Sequence, residues 1–232
     1  MKEVPDRARL NAFLQDYQLE SVFNKPLLPY LSLYHFEQGE WICSQGEPSE
    51  YLYVLVKGKI KVYTTSAEGK TLIISFKTPL EVIGDIEYIQ DIPIINTVEA
   101  VSPVQMIGVP YRYLQKHAAD YAPLLNFLLK VITRKFYTKS NFLSLNILHP
   151  VEVRLASYLL SVSYDESDAE FQGQLSTSRL NDVANWIGTS YRHLNRVIQK
   201  LSAEGLVERS KGFIVIKDKE RLSTLAGKNI YE

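Results

Sequence analysis

Between Ser190 and Leu201 the chain carries Tyr191, Arg192, Asn195, Arg196 and Gln199, all able to hydrogen-bond. They share one side of a helix once Leu194, Val197, Ile198 and Leu201 are turned inward. Their chemistry is that of groove reading. Arginine can bridge O6 and N7 of guanine, Asn or Gln can do the same for adenine, and a helix of this width fits the major groove of duplex DNA. No acidic residue interrupts the face. The competing reading, an ordinary solvated helix face, leaves the preceding segment unexplained. There Leu180, Val183, Ala184 and Ile187 repeat at i, i+3, i+4 and i+7, with Ser178 placed as N-cap. Gly188 allows a sharp turn, Ser190 can cap the second helix, and Gly205 stops it at C′. This spacing predicts a helix-turn-helix.

Past Gly205, Leu206 to Ile216 reads as two strands around Ser210-Lys-Gly212, a wing with Lys211 at its tip and Arg209 nearby. Both can meet phosphates, which position a protein without reading sequence. Formal charge is balanced, with 26 basic and 26 acidic residues. From Gln174 to Lys217, however, Arg179, Arg192, Arg196, Lys200, Arg209, Lys211 and Lys217 face only Asp182, Glu204 and Glu208. The positive excess sits where the motif is.

The elements that must carry this reader are of two kinds. Leu31 to Val109 is a series of short β-branched and aromatic runs punctuated by Gly39, Gly46, Gly58, Gly69 and Gly84, which predicts an antiparallel β-barrel or sandwich. Gly58 is the expected tight turn between Tyr51–Lys57 and the alternating Lys59–Tyr63. Pro110 suits the first position of a short helix, and Tyr121 to Asn146 a much longer one. On the latter, Leu125, Leu129, Ile132, Phe136 and Leu143 form a heptad seam interrupted at Lys139. Such a stripe can pack on its own barrel or on a second copy of the chain. Leu155, Ala156, Leu159 and Leu160 mark a further helix, followed by the acidic stretch Asp165 to Glu170.

Composition narrows the function. At 232 residues and 46% hydrophobic content the chain can build real cores. No apolar run is long enough to span a bilayer and the charged N-terminus lacks a secretory core, which predicts a cytoplasmic protein with no membrane association. One cysteine, Cys43, excludes an internal disulfide and a multi-thiolate iron–sulfur cluster, and it is expected to pack as a small apolar residue. His35, His117, His149 and His193 have no metal-ligand spacing, so neither a metal nor a cofactor is expected. No catalytic constellation or glycine-rich phosphate loop points to an enzyme.

Nearly the whole chain resembles the Crp/Fnr family of bacterial regulators. The resemblance rests on Gln45-Gly-Glu47, Leu52 to Tyr63, Val82-Ile-Gly-Asp-Ile-Glu87 and Gly188-Thr-Ser-Tyr-Arg-His-Leu-Asn-Arg196, the last most like the YeiL-type branch. It implies an α+β protein: a cyclic-nucleotide-binding-like antiparallel β-barrel of jelly-roll type over 1–120, a long dimerisation helix over 121–148, and a winged helix-turn-helix over 149–232. Tyr191, Arg192 and Arg196 fall on the family's base-contacting positions and Ser190 on a phosphate-contacting one. Together with the periodicity, the candidate DNA-binding residues are Ser178, Thr189, Ser190, Tyr191, Arg192, Asn195, Arg196, Gln199 and Lys211. The resemblance also implies a homodimer, joined through the seam from Leu125 to Leu143, that binds double-stranded DNA and contacts RNA polymerase, in the manner of an activator.

The same resemblance places an effector pocket at Gly84, Asp85, Ile86, Glu87, Ile95, Asn96 and Thr97. Family members that bind cyclic AMP use a Gly-Glu pair, matched here by Gly84 and Asp85, and a later Arg-Ser or Arg-Thr pair. Ile95 and Asn96 occupy the second, so the phosphate-binding arginine is missing. A buried phosphate would lose its charge-assisted partner, about 2 kcal/mol or more. The effector is therefore expected to be something other than cyclic AMP, and Asp85 and Glu87 are expected at the rim of a turn. A sensor module whose C-terminal domain contacts protein is the alternative reading.

Overall fold

Seven consecutive residues of β4, Tyr51–Lys57, lack any alternation of polarity because both faces of the strand are covered. Leu52, Val54 and Val56 enter one hydrophobic core while Tyr53 and Leu55 enter another. The computed structural model describes residues 1–69, 71–163, 174–177 and 180–227, and their side chains except those of 141–147, 161–163 and 174. These residues fall into two units, Met1–Phe136 and Tyr137–Glu232.

The first unit is built on two antiparallel sheets. One joins β1 (Lys2–Val4), β2 (Ser32–Phe36), β9 (Val104–Pro110), β4 and β7 (Glu81–Ile83) in that spatial order. The other joins β3 (Trp41–Cys43), β8 (Thr97–Ala100), β5 (Ile60–Thr65) and β6 (Thr71–Lys77). Tyr34, Phe36, Tyr53, Leu55 and Met106 of the first sheet meet Ile42, Ile60, Val98 and Ala100 of the second. The architecture is thus a two-sheet jelly roll rather than a closed barrel: the two sheets share a core but, among the described residues, no hydrogen-bonded strand pair closes them.

The outer face of the five-stranded sheet is covered by helices. These are α1 (Arg7–Asp16), α3 (Tyr111–Ala118) and the first turns of α4 (Ala122–Leu148), through Leu10, Leu14, Leu114, Leu124, Leu128 and Val131. Pro110 ends β9 and caps α3 rather than opening it. Gly58 takes φ +92° and a Cβ there would meet the Pro103 carbonyl at 2.4 Å, so the β4–β5 turn requires glycine. Cys43 packs among apolar side chains, and burial raises its thiol pKa to about 12, so it stays an inert thiol.

Division between the units falls inside α4 and not at Leu148, because the α4 side chains in the first core stop at Val131. The second unit contains α5 (Val151–Ser163), α6 (Leu180–Trp186), α7 (Tyr191–Ala203) and α8 (Lys219–Ala226) with a three-stranded sheet. That sheet orders β10 (Gln174–Ser176), β12 (Phe213–Ile216) and β11 (Val207–Ser210). Leu155, Leu159, Leu180, Val183, Leu194, Ile198, Leu201, Ile214 and Leu222 form its core.

Candidate nucleic-acid interface and sensor site

Helix α7 begins where the sequence places it. Ser190 adopts extended backbone and its Oγ accepts from the His193 amide at 3.2 Å, satisfying one of the free N–H groups at the helix start. Gly188 turns the chain with φ +65°, and the Thr189 amide donates to the Ala184 carbonyl at 2.9 Å, closing the turn onto α6. Leu194, Val197, Ile198 and Leu201 are buried at 4% exposure or less. Gly205, at φ +74°, follows the C-cap Glu204 and ends the helix.

The opposite face is open. Tyr191, Arg192, Arg196 and Gln199 are exposed, and the side chains of Arg192, Arg196 and Gln199 make no hydrogen bond or ion pair with any described residue. Asn195 differs: its Nδ2 donates to the Tyr191 carbonyl at 3.0 Å and its Oδ1 accepts from Arg209 Nη1 at 3.2 Å. Lys200, on the far flank, lies 3.5 Å from Glu152 of α5. In the wing, Lys211 holds φ +48° beside Gly212 and is exposed at the tip. Ser178 lies outside the described residues.

One positioning residue escapes sequence reading. Arg154 of α5 is 8% exposed and its Nη1 donates to the carbonyl of Ile187, the residue before the Gly188 turn. An arginine at i+3 from Val151 within an apolar helix looks like a solvated residue, so no local signal marks it. The carbonyl it reaches is one of those a helix leaves unpaired at its C-terminus.

At the sensor site, Asp85 and Glu87 are not on a rim. They are 2% and 9% exposed, at the start of the short helix α2 (Asp85–Gln90). Lys135 of α4 overrides the expected exposure of Asp85: its Nζ donates to Asp85 Oδ1 and Oδ2 at 2.8 and 3.0 Å and to the Val82 carbonyl at 2.6 Å. Glu81 Oε1 lies 3.4 Å from the same ammonium, and its Oε2 lies 3.2 Å from Lys77. Burial opposes the charge on Glu81, but the two ammonium groups outweigh it and hold the carboxyl below its ordinary range. Glu87 Oε1 accepts from the Ile95 amide at 3.1 Å.

Space around Gly84 is closed. A Cβ there would meet the Tyr51 carbonyl oxygen at 2.4 Å and the Tyr111 hydroxyl at 2.6 Å. That hydroxyl donates to the Gly84 carbonyl at 2.6 Å and takes a hydrogen bond from Ser49 Oγ at 2.6 Å. Thr97 Oγ1 accepts from the Gln45 amide at 3.1 Å, and the Asn96 carbonyl faces Cys43 Sγ at 3.8 Å. Ile86 is half-buried and Ile95 is 37% exposed. Residues 84–97 contain no lysine or arginine, and Asp85 is already paired.

On α4 two stripes separate cleanly. Leu124, Leu128 and Val131 face the first core, while Leu125, Leu129 and Phe136 are 39%, 63% and 72% exposed. Ile132 is half-buried between them, and the Leu143 side chain lies outside the described set. No helix among the described residues is long and apolar enough to cross a membrane.

The cyclic nucleotide-binding domain model matches residues 33–121 and the Crp-like helix-turn-helix domain model matches 153–225. The regulatory protein YeiL of Escherichia coli O157:H7 is 28% identical over 89% of this chain and 93% of its own length. The transcriptional activator protein Anr of Pseudomonas protegens is 24% identical over 84% of this chain and 80% of its own. A crystal structure of a crp/fnr-family protein from Eubacterium rectale superposes with a TM-score of 0.77 at 21% identity, over 92% of this chain and 97% of that one. With both domain models in order along one chain, and YeiL matching through both, this protein belongs to the Crp/Fnr family of DNA-binding transcription regulators, in its YeiL-like branch.

Proposed function

We propose that the protein is a cytoplasmic homodimer that reads a two-fold symmetric operator with two copies of α7, contacts RNA polymerase and activates transcription without catalytic activity. The exposed face of α7 carries this reading, because Arg192, Arg196 and Gln199 have no described partner and stand opposite a fully buried apolar stripe. Arg192 and Arg196 read bases, with Tyr191 and Gln199 beside them. Ser190 and Lys211 hold phosphate, with Thr189 and Ser178 in the same interface. The exposed stripe Leu125, Leu129 and Phe136 is the dimer seam, joined by Ile132 and Leu143. Two reading helices on a two-fold axis require half-sites about one helical turn apart. Activation has the support of the relative named as a transcriptional activator.

The effector is a molecule other than cyclic AMP, given Ile95 in the arginine position and Lys135 on Asp85. Selection of bound duplexes from a random pool, with and without cell extract, tests this function. Recovery of an inverted repeat is expected, sharpened by extract if an effector acts, whereas recovery of no preferred sequence favours a sensor whose C-terminal unit contacts protein. Thermal melting with cyclic AMP is expected to show no shift, and a saturable shift at micromolar ligand counts against the pocket assignment.

A further inference from the structure

We infer that Arg209, on the wing strand β11, is a specificity-determining residue that reads a guanine edge, and that Asn195 serves to aim it instead of reading a base itself. The inference rests on α7 being the helix that enters the groove.

Asn195 carries the first part of the argument. To bridge an adenine, an asparagine must offer its carbonyl oxygen and its amino group together. Here the amino group is given to the Tyr191 carbonyl at 3.0 Å and the oxygen to Arg209 Nη1 at 3.2 Å. The two bonds also settle the orientation of the amide, since a flipped group would set donor against donor. Asn195 thus stands as a bracket between the main chain of α7 and the wing.

Arg209 carries the second part. Tyr191, Asn195, Ile198 and Ser202 recur at i, i+4, i+7 and i+11, and this flank of α7 faces β11 across a cleft lined by Ile198, Gln199, Ser202, Val207, Glu208 and Arg209. The Arg209 side chain reaches Asn195, which is half-buried on this flank and adjoins the exposed Arg196 in sequence. Its strand neighbour Glu208 is held by Lys217 Nζ at 2.6 Å, leaving the Arg209 charge unpaired by it. A guanidinium has five N–H donors in a rigid fork, and Asn195 engages only one nitrogen of it. What remains is a bidentate donor set at the edge of the reading face, held by a side chain that is itself held. Lys211 at the wing tip has no such bracket among the described residues and acts as a point charge.

The test is a comparison of base preference, position by position, for the full-length protein and its Arg209→Ala, Arg209→Lys, Asn195→Ala and Asn195/Arg209 double variants, with Arg196→Ala as control. Both Arg209 variants are expected to flatten preference at one base pair by about tenfold, the lysine included because it lacks the fork. Asn195→Ala is expected to flatten the same position, and the double variant to do no more than Arg209→Ala. An Arg209→Ala variant that weakens every sequence evenly, with Arg209→Lys restoring it, marks a phosphate contact and overturns the inference. Loss at two different positions, adding in the double variant, overturns the bracket. If Arg196→Ala alters preference and Arg209→Ala does not, the inference falls and the reading of α7 stands; if neither does, both fall.

Discussion

Arg196 and Lys211 are both exposed cations of the second unit, yet their settings predict different losses. Arg196 lies on the rigid face of a capped helix, so Arg196→Ala is expected to remove about 1–3 kcal/mol of binding and to relax preference at one base pair. Lys211 sits on a turn, so Lys211→Ala is expected to weaken all sequences evenly and to flatten the dependence on salt, by about one counterion. Gel-shift titrations against mutated half-sites, repeated at several salt concentrations, distinguish the two. Residue types told this much without coordinates, because an outward arginine keeps its chemistry wherever the helix lies. They were silent on the local bonding of Asn195, and misled at Asp85 and Glu87, whose polarity suggests solvated groups. Their partners, Arg209, Lys135 and the Ile95 amide, come from other elements or from the far side of a turn, and no local pattern announces them.

Among the elements, α7 was legible because one face is buried and one is not, which is what periodicity measures. Strand β4 was legible as a strand, from its β-branched and aromatic run ending at Gly58, but its burial on both faces was not, since cores on either side leave no alternation to read. Helix α4 shows a third case: a seam interrupted at Lys139 hid a second, buried stripe at Leu124, Leu128 and Val131, with Lys135 one turn beyond it. That lysine joins α4 to β7 and α2. Lys135→Met leaves the Asp85 carboxyl buried at 2% exposure without its ammonium partner, so a loss of about 3 kcal/mol is expected in the stability of the first unit. Glu81 gives the effect a pH signature. Its folded pKa is lowered, so its contribution is complete at neutral pH and is lost as acid titrates through the folded value. The gap between wild type and Lys135→Met in thermal melts should accordingly narrow below about pH 4, and a constant gap would place the loss elsewhere.

For the whole molecule, the decisive surface is the apolar strip on α4. Leu129 and Phe136, at 63% and 72% exposure, are large apolar side chains that a solitary chain would leave in water. Phe136→Glu places a carboxylate in the proposed seam and is expected to give a monomer by sedimentation. Affinity for a full inverted repeat should drop by about a hundredfold, while affinity for one half-site changes little, because only the coupling of two readers is lost. The general plan, two units with a long helix at their junction, was visible from glycine punctuation and from the change to helical spacing after Val109. The place of the division was not, because it depends on where packing stops along a continuous helix.

The turn ahead of α7 is specified several times over, by Gly188, the Ser190 cap, the Thr189 amide and the buried guanidinium of Arg154 on the Ile187 carbonyl. A reading helix whose start is set before any duplex arrives has little conformational entropy left to lose on docking. Encounter with DNA then needs no folding step, and arrival is governed by diffusion and charge, much the same for every sequence. Discrimination between operators falls to residence time, in how long each duplex is kept rather than how quickly it is found.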